Sequence, residues 1–158
     1  MNILITGCAG FIGFHLSNQL LKNSKYKIVG IDNINNYYST KIKKDRLKIL
    51  SKNSNFFFHK VDIKNYNKIK SVFNKHSFDI VFHLSAQAGV RYSITNPEKY
   101  MEANIVGFFN ILENSRLKKI KHLITASSSS VYGDNKKFPL KEISNTDFPI
   151  SFYAATKK

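Results

Sequence analysis

The chain has 158 residues, 42% apolar and 13% aromatic. No repeat, low-complexity block or Pro/Gly-rich linker divides it, so one globular domain over residues 1–158 is expected. The formal charge of +15 is nearly all lysine, scattered from Lys22 to Lys158 among asparagine and isoleucine. It lacks the clustered Arg/Lys with interleaved aromatics of a nucleic-acid face, so nucleic acid is excluded as a partner. Glycines break the apolar start too soon for a signal or membrane segment, which points to the cytoplasm and to no membrane partner. A lone cysteine, Cys8, rules out a disulfide framework and is expected to be a small buried side chain; no metal site is expected.

The first stretch, Asn2 to Gly13, reads as a strand, a tight turn and a helix start. Ile3, Leu4 and Ile5 form the unbroken apolar run of a strand covered on both faces, and Phe11, Ile12, Phe14, Leu16, Leu20 and Leu21 supply an apolar stripe at helical spacing. Gly7, Gly10 and Gly13 at the junction let backbone approach a diphosphate, and the helix N-terminus offers free N–H groups and partial positive charge. The spacing departs from the G-x-G-x-x-G fingerprint, because Cys8 and Ala9 occupy the gap.

A second strand, Lys27 to Asp32, ends on a carboxylate nineteen residues beyond Gly13. An acidic residue at that offset takes the adenosine ribose hydroxyls and repels a 2'-phosphate, which favours NAD over NADP. Asn33 and Asn35 follow it in a loop that can help hold the adenosine. The run from Lys41 to Lys48, with Ile42, Leu47, Ile49 and Leu50 on a rough stripe, reads as a solvated helix face. A third strand, Asn55 to Ile63, ends in Asp62-Ile63; the carboxylate can accept from the adenine amino group while Ile63 covers the ring, or it can cap the next helix. The helix around Asn67 to His76 leads to a fourth strand, Asp79 to Ser85, and a small-residue loop, Ala86 to Gly89, leaves ligand space at its carboxyl end. His83, inside this strand among apolar neighbours, is expected to be a satisfied core histidine.

Pro97 opens a long helix whose inner face is expected from Tyr100, Met101, Ile105, Val106, Phe108, Phe109, Ile111 and Leu112, with Asn104 and Gly107 one turn apart. A fifth strand, His122 to Ala126, runs into Ser127 to Ser130. Five strands alternating with helices predict an α/β, doubly wound parallel sheet, a Rossmann-like dinucleotide-binding domain. After a loop to Pro149 comes a last helix, on which spacing i, i+4 stacks Lys157 beside Tyr153. A phenol ordinarily titrates near pH 10, so work as a base near neutrality requires roughly 4 kcal/mol. An ammonium at about 4 Å supplies that order of energy at an effective dielectric of about 20.

These residues together resemble the extended short-chain dehydrogenase/reductase superfamily and, within it, the nucleotide-sugar epimerases, most closely the UDP-glucuronate 4-epimerases. The carrying stretches are Thr6 to Gly13, Gly30 to Asn33 with Tyr37-Tyr38, His83 to Ser93, Asn104 to Gly107, Ser127 to Gly133 and Tyr153 to Lys157. The three-apart glycine spacing is the superfamily's own, whereas Gln87 to Ser93 is narrower in distribution.

The resemblance implies NAD as a tightly held cofactor, bound by Gly7, Gly10, Phe11, Ile12, Gly13, Asp32, Asn33, Asp62, Ile63, Leu84, Ala86, Ala88, Tyr153 and Lys157. It implies 4-epimerisation of a UDP-hexuronate by transient oxidation at C4: Tyr153 takes the 4-hydroxyl proton, Ser128 bonds the same oxygen, and Lys157 also holds the nicotinamide ribose. Sugar 4,6-dehydratases place Asp-Glu where Ser129-Ser130 stand, and decarboxylating relatives a glutamate at Ser130, because their eliminations need further acid–base groups. The serine hydroxyls, Ser129 among them, can instead bond a hexuronate carboxylate. Arg91 is the cation nearby in the motif, with a phosphate or structural contact equally open. Asn104 stands near the substrate in these proteins, or bonds backbone within its helix. Family chains are homodimers roughly twice this long, with a C-terminal substrate domain absent here. The fifth strand is therefore expected to be an exposed edge, and weak or absent turnover is expected from these residues alone.

Overall fold

The computed structural model describes residues 1–158. Five parallel strands, β1 (Asn2–Thr6), β2 (Lys27–Asp32), β3 (Phe56–Lys60), β4 (Ile80–His83) and β5 (His122–Thr125), form one sheet in the order β3-β2-β1-β4-β5. β1 is central; Leu4 lies between Val29 and Val81 in register. Alternate residues of β1 enter opposite cores. Leu4 packs with Val29, Val81, Ile69, Phe73 and Ile111 on one face, beneath α3 (Tyr66–Lys75) and α6 (Gly107–Leu117). Ile3 and Ile5 pack with Cys8, Ile28, Leu21 and Leu50 on the other, beneath α1 (Phe11–Leu20) and α2 (Thr40–Leu50). A sheet with helices on both faces is the doubly wound, Rossmann-like arrangement. The strand order reverses beside β1, and the crevice opens there, at the carboxyl ends of β1 and β4.

Four helix readings are corrected by this packing. On α1, Phe11 and Ile12 are 67% and 62% exposed, while Gly13 and Ser17 face the sheet. Close approach of the helix requires small residues on that side, and Ser17 Oγ secures it by donating to the Gly13 carbonyl at 2.7 Å. On α2, Ile42 and Ile49 are exposed and the inner line is Lys43, Leu47 and Leu50, so the run is not wholly a solvated face. The long helix from Pro97 is three pieces: α5 (Pro97–Tyr100), a π-helical segment (Met101–Val106) and α6. Only Tyr100 and Ile111 of its expected inner residues are fully buried; Met101, Ile105, Val106, Phe109 and Leu112 are exposed. The wider π turn rotates the following residues out of the simple helical phase. The sheet side is then lined by Asn104, Gly107, Asn110 and Asn114, with Asn110 Nδ2 donating to the Ile63 carbonyl at 2.9 Å. Finally, a short helix, α4 (Val90–Thr95), lies between β4 and Pro97, where none is legible in the sequence.

β3, β4 and β5 are shorter than their apolar runs, because pairing stops at Lys60, His83 and Thr125. β5 pairs only with β4 and is an edge. Beyond it lie a 3-10 turn (Ser129–Tyr132), a loop carrying the exposed Phe138, Ile143, Phe148 and Ile150, and α7 (Phe152–Lys157). No helix is long and apolar enough to cross a membrane.

Candidate active site

Gly7 turns the chain out of β1 with φ +71°, a conformation that favours glycine. Its N–H and that of Cys8 donate to the Ile31 carbonyl, which ties the turn to β2. A Cβ at Gly7 would press on the Leu84-Ser85 backbone at 3.0–3.2 Å, and one at Gly13 would overlap the Gly7 carbonyl. The three glycines therefore nest against one another and against the end of β4. Gly10, at the N-cap of α1, brings no side-chain acceptor, so the first-turn N–H groups at Phe11, Ile12 and Gly13 are donors available to an anion.

Beside this turn lies a cavity of about 350 Å³, lined by the carboxyl ends of β1 to β4. Eight of the sequence-derived cofactor residues line it: Gly7, Gly10, Asp32, Asn33, Asp62, Ile63, Leu84 and Ala86. Asp32 is buried at its wall, its Oδ2 accepting from Ala9 N at 3.2 Å and its Oδ1 from Ile34 N at 2.8 Å. Asp62 accepts from Asn33 Nδ2 at 3.1 Å and does not cap α3, whose cap is Asn65 accepting from Lys68 N. Cys8 is fully buried, with burial raising its thiol pKa well above the ordinary value.

Phe11, Ile12, Gly13, Ala88, Tyr153 and Lys157 do not line the cavity. Ala88 instead offers its carbonyl to Tyr37 Oη at 3.1 Å and Tyr100 Oη at 2.8 Å. Tyr153 and Lys157 lie on α7, which is held by four residues. Ser93 Oγ accepts from Tyr153 N at 3.3 Å, Ser127 Oγ donates to the Lys157 carbonyl at 3.1 Å, and Tyr100 meets the Tyr153 ring edge-on at 5.8 Å. The fourth is Asn104, buried on the π segment. Its Oδ1 accepts from Gln87 N at 2.8 Å, and its Nδ2 donates to the Gln87 carbonyl at 3.0 Å and to Thr156 Oγ1 at 2.9 Å. Asn104 thus joins the cavity loop to α7, and its amide is engaged with protein rather than presented to a substrate. Thr156 Oγ1 in turn donates to the Tyr153 carbonyl at 2.8 Å.

The serine turn packs on the same helix. Ser128 is half-buried and its Oγ accepts from Ser130 N at 3.2 Å, while Ser129 is exposed. Arg91, in the first turn of α4, is exposed and outside the cavity.

His83 is 4% exposed, with Nδ1 2.9 Å from Thr6 Oγ1. That hydroxyl oxygen already accepts from Leu84 N and Ser85 N, both at 3.0 Å, so its own proton goes to Nδ1. The ring is therefore neutral with its proton on Nε2, a buried core histidine whose Nδ1 is satisfied by Thr6. Burial first, and the nearby Lys157 charge second, pull its pKa down to about 4. Burial likewise lowers Lys157. A neutral His83 adds no positive charge beside the Lys157 ammonium.

This neutrality predicts acid sensitivity. The unfolded chain protonates His83 near pH 6.5 and the folded chain only near 4, so between those values the unfolded state binds more protons. Stability is complete above about 6.5 and falls with pH, by about 3 kcal/mol at pH 4. His59 and His76, whose Nε2 atoms are 2.9 Å apart, are also lowered by burial and act in the same direction. Urea unfolding at pH 7 and pH 4.5 measures the loss. In His83→Asn, whose oxygen can accept the Thr6 hydroxyl, the dependence should flatten.

The structure adds cavity residues that sequence reasoning missed: Lys43, Lys64, Lys99 and Glu102. Lys64 Nζ meets Glu102 Oε2 at 2.8 Å across one wall. Lys43 carries a signal in hindsight, since it stands four and seven residues before the inward Leu47 and Leu50.

Residues 4–158 match the sequence family described as GDP-mannose 4,6 dehydratase. Over 158 residues the chain is 54% identical to protein CapI of Staphylococcus aureus, covering 100% of this chain and 47% of that protein. It is 43% identical to the UDP-glucuronate 4-epimerase of Thermodesulfobacterium geofontis, covering 98% of this chain and 47% of that protein. Among solved structures, the UDP-glucuronic acid 4-epimerase of Bacillus cereus in complex with UDP-glucuronic acid and NAD superposes with TM-score 0.90 at 38% identity, covering 99% of this chain and 49% of that one. The chain thus spans about half the length of the curated relatives it matches.

Proposed function

The chain belongs to the GDP-mannose 4,6 dehydratase family, and on that premise we propose that it is the NAD-binding and catalytic half of a nucleotide-sugar 4-epimerase acting on UDP-glucuronate. The observation that carries this reading is the tie from Gln87 through Asn104 to Thr156. It fixes the Tyr153–Lys157 helix against the loop that walls a glycine-flanked cavity.

The cavity suits NAD. A Cβ at Gly7 or Gly13 would strike the Leu84-Ser85 backbone or the Gly7 carbonyl and open the turn whose N–H groups would face a diphosphate, and Asp32 and Asp62 offer carboxylates for ribose and adenine. Phe11, Ile12 and Gly13 would bind the diphosphate through backbone N–H groups, and Ile63, Leu84, Ala86 and Ala88 would flank the bases. When bound, NAD supplies hydride exchange at C4 of the sugar. Tyr153 Oη takes the proton of the 4-hydroxyl and returns it, with Lys157 stabilising the phenolate and Ser128 Oγ bonding the same oxygen. Asn104 positions this helix and does not touch the sugar. Ser129 would bond a hexuronate carboxylate, and Arg91 is open to a phosphate or to a structural contact.

Within the family, the serine turn favours epimerisation over dehydration. Removal of water across C5 and C6 needs an acid and a base beyond the tyrosine, and Ser129 and Ser130 carry hydroxyls only. The test incubates purified protein with NAD and UDP-glucuronate and follows UDP-galacturonate. Dinucleotide binding with slow conversion is expected. Dinucleotide binding without conversion would identify a binding unit and overturn the catalytic part; a 4-keto-6-deoxy product would overturn the epimerase assignment.

A further inference from the structure

The lysines scattered along the sequence are not scattered evenly in the fold. In a parallel sheet every connection that leads from a helix into a strand lies at the amino edge, opposite the cavity. The four such connections, residues 21–26, 51–55, 76–79 and 118–121, carry Lys22, Lys25, Lys52, Lys118, Lys119 and Lys121, all exposed. Their one carboxylate is Asp79, which accepts from Asn2 N at 2.9 Å and meets Lys121 Nζ at 3.5 Å. It offsets one lysine only. The connections that leave strands at the carboxyl edge are balanced instead. Residues 7–10, 33–39, 61–65 and 84–89 carry Lys64 against Asp62, and residues 126–151 carry Lys136, Lys137 and Lys141 against Asp134, Glu142 and Asp147. The excess of positive charge in the loops thus lies away from the edge proposed to receive an anionic cofactor and substrate.

Hydrogen bonds tie the amino edge into one surface. Asn53 Nδ2 donates to the Leu21 carbonyl at 3.3 Å and Asn55 Nδ2 to the Ser24 carbonyl at 3.1 Å, which joins the first two connections. Met1 N donates to the Lys25 carbonyl at 2.8 Å, Asn2 N reaches Asp79, and Asp79 meets Lys121, which brings in the other two. Across five strands the edge is about 19 Å wide at a strand spacing of ~4.8 Å.

We infer that this amino edge is a docking surface for an anionic phospholipid bilayer. The lysine ammonium groups complement headgroup phosphates, and the cavities of the fold lie elsewhere, so the edge offers no cleft for a discrete ligand. Met1 and Leu117, 44% and 51% exposed, stand at the same edge and present apolar tips to the lipid interface. Tyr26 and Phe78, the only Tyr and Phe of the four connections, are not exposed, which leaves no platform on which nucleic-acid bases stack. No helix is long and apolar enough to cross a membrane. The contact is therefore peripheral, and the absence of a spanning segment in the sequence does not bear on it. Seated on this edge, the chain turns its cavity away from the lipid toward solution.

The test is sedimentation of the purified chain with vesicles of phosphatidylcholine, alone or with about one third phosphatidylglycerol, at about 0.1 M and about 1 M salt, between which the screening length falls from ~10 Å to ~3 Å. Binding to the anionic vesicles is expected, lost at the higher salt and weaker by about tenfold or more on phosphatidylcholine alone. Lys25→Gln, Lys52→Gln and Lys118→Gln together should weaken it about a hundredfold, at about fivefold per lysine. Lys41→Gln, Lys44→Gln and Lys136→Gln remove the same charge from exposed positions away from this edge and should weaken it by no more than about threefold. All of these side chains are exposed and take no part in the ion pairs of the fold, so both triple variants are expected to fold. Equal losses in the two triples would assign the effect to net charge and overturn the inference. Absence of binding to the anionic vesicles would overturn it too, as would tighter binding to a short DNA duplex than to the vesicles in the same buffer. None of these outcomes touches the epimerase reading, which stands or falls on conversion of the sugar nucleotide.

Discussion

Gly13→Ala is expected to cost about 3 kcal/mol of stability, the upper end for inserting a methyl group into a packed site, and to abolish dinucleotide binding. The added Cβ would overlap the Gly7 carbonyl and come within 2.8 Å of the Gly7 carbonyl carbon and 3.0 Å of Cys8 Cα. All are backbone atoms, so no side chain can swing aside. α1 must move off the sheet, or the turn after β1 must open, and either motion redirects the N–H groups at Phe11, Ile12 and Gly13. For a chain of this size the loss corresponds to a drop of roughly 10 °C in Tm. Gly10→Ala is the control at the same turn. Its Cβ would meet only the Gly7 carbonyl oxygen, at 3.1 Å, so about 1 kcal/mol and weakened rather than lost NAD binding are expected. Thermal melts with and without NAD check both. Equal effects of the two substitutions would refute the close-approach account.

The same closeness explains which parts of the molecule are legible in the sequence. β1, its glycine turn and Asp32 can be read because each is marked by residue types with one dominant physical use there: an unbroken apolar run, glycines at a strand–helix junction, and a carboxylate at a strand end. The parallel, doubly wound sheet follows from the alternation of such runs with helices, whereas the strand order does not. The helix faces are harder. A helix held close to a sheet presents small or amide side chains inward, as Gly13 and Ser17 do on α1 and Asn104, Gly107 and Asn110 do beyond Pro97. Hydrophobic periodicity then points to the wrong side, toward Phe11, Ile12, Met101 and Phe109, all exposed. The π segment compounds this, because its extra residue per turn leaves no compositional mark. Asn104 could be picked out as a site residue, but its part in clamping Gln87 and Thr156 depends on which way that wide turn aims its amide. Lys43 was hidden by its neighbours: amid Lys41, Lys44 and Lys48 a buried lysine looks like another solvated one.

Tyr153→Phe is expected to lower conversion of UDP-glucuronate by 10²- to 10⁴-fold, the range for losing a general acid–base group, with Tm nearly unchanged. The substitution removes one oxygen and leaves every anchor of α7 in place. Ser93 still accepts from the backbone N–H of residue 153, Thr156 still donates to its carbonyl, and the ring still meets Tyr100 edge-on. Loss of rate therefore reports the hydroxyl proton and not a displaced helix. On the proposed mechanism Lys157→Met should act on the same step, since its half-buried ammonium would stabilise negative charge developing on the tyrosine oxygen. Groups that work as one unit are not additive. The double variant is therefore expected to be no slower than Tyr153→Phe by more than a few-fold. Multiplying effects would mean that the lysine serves a separate step, and an unimpaired Tyr153→Phe would remove the tyrosine from the chemistry altogether.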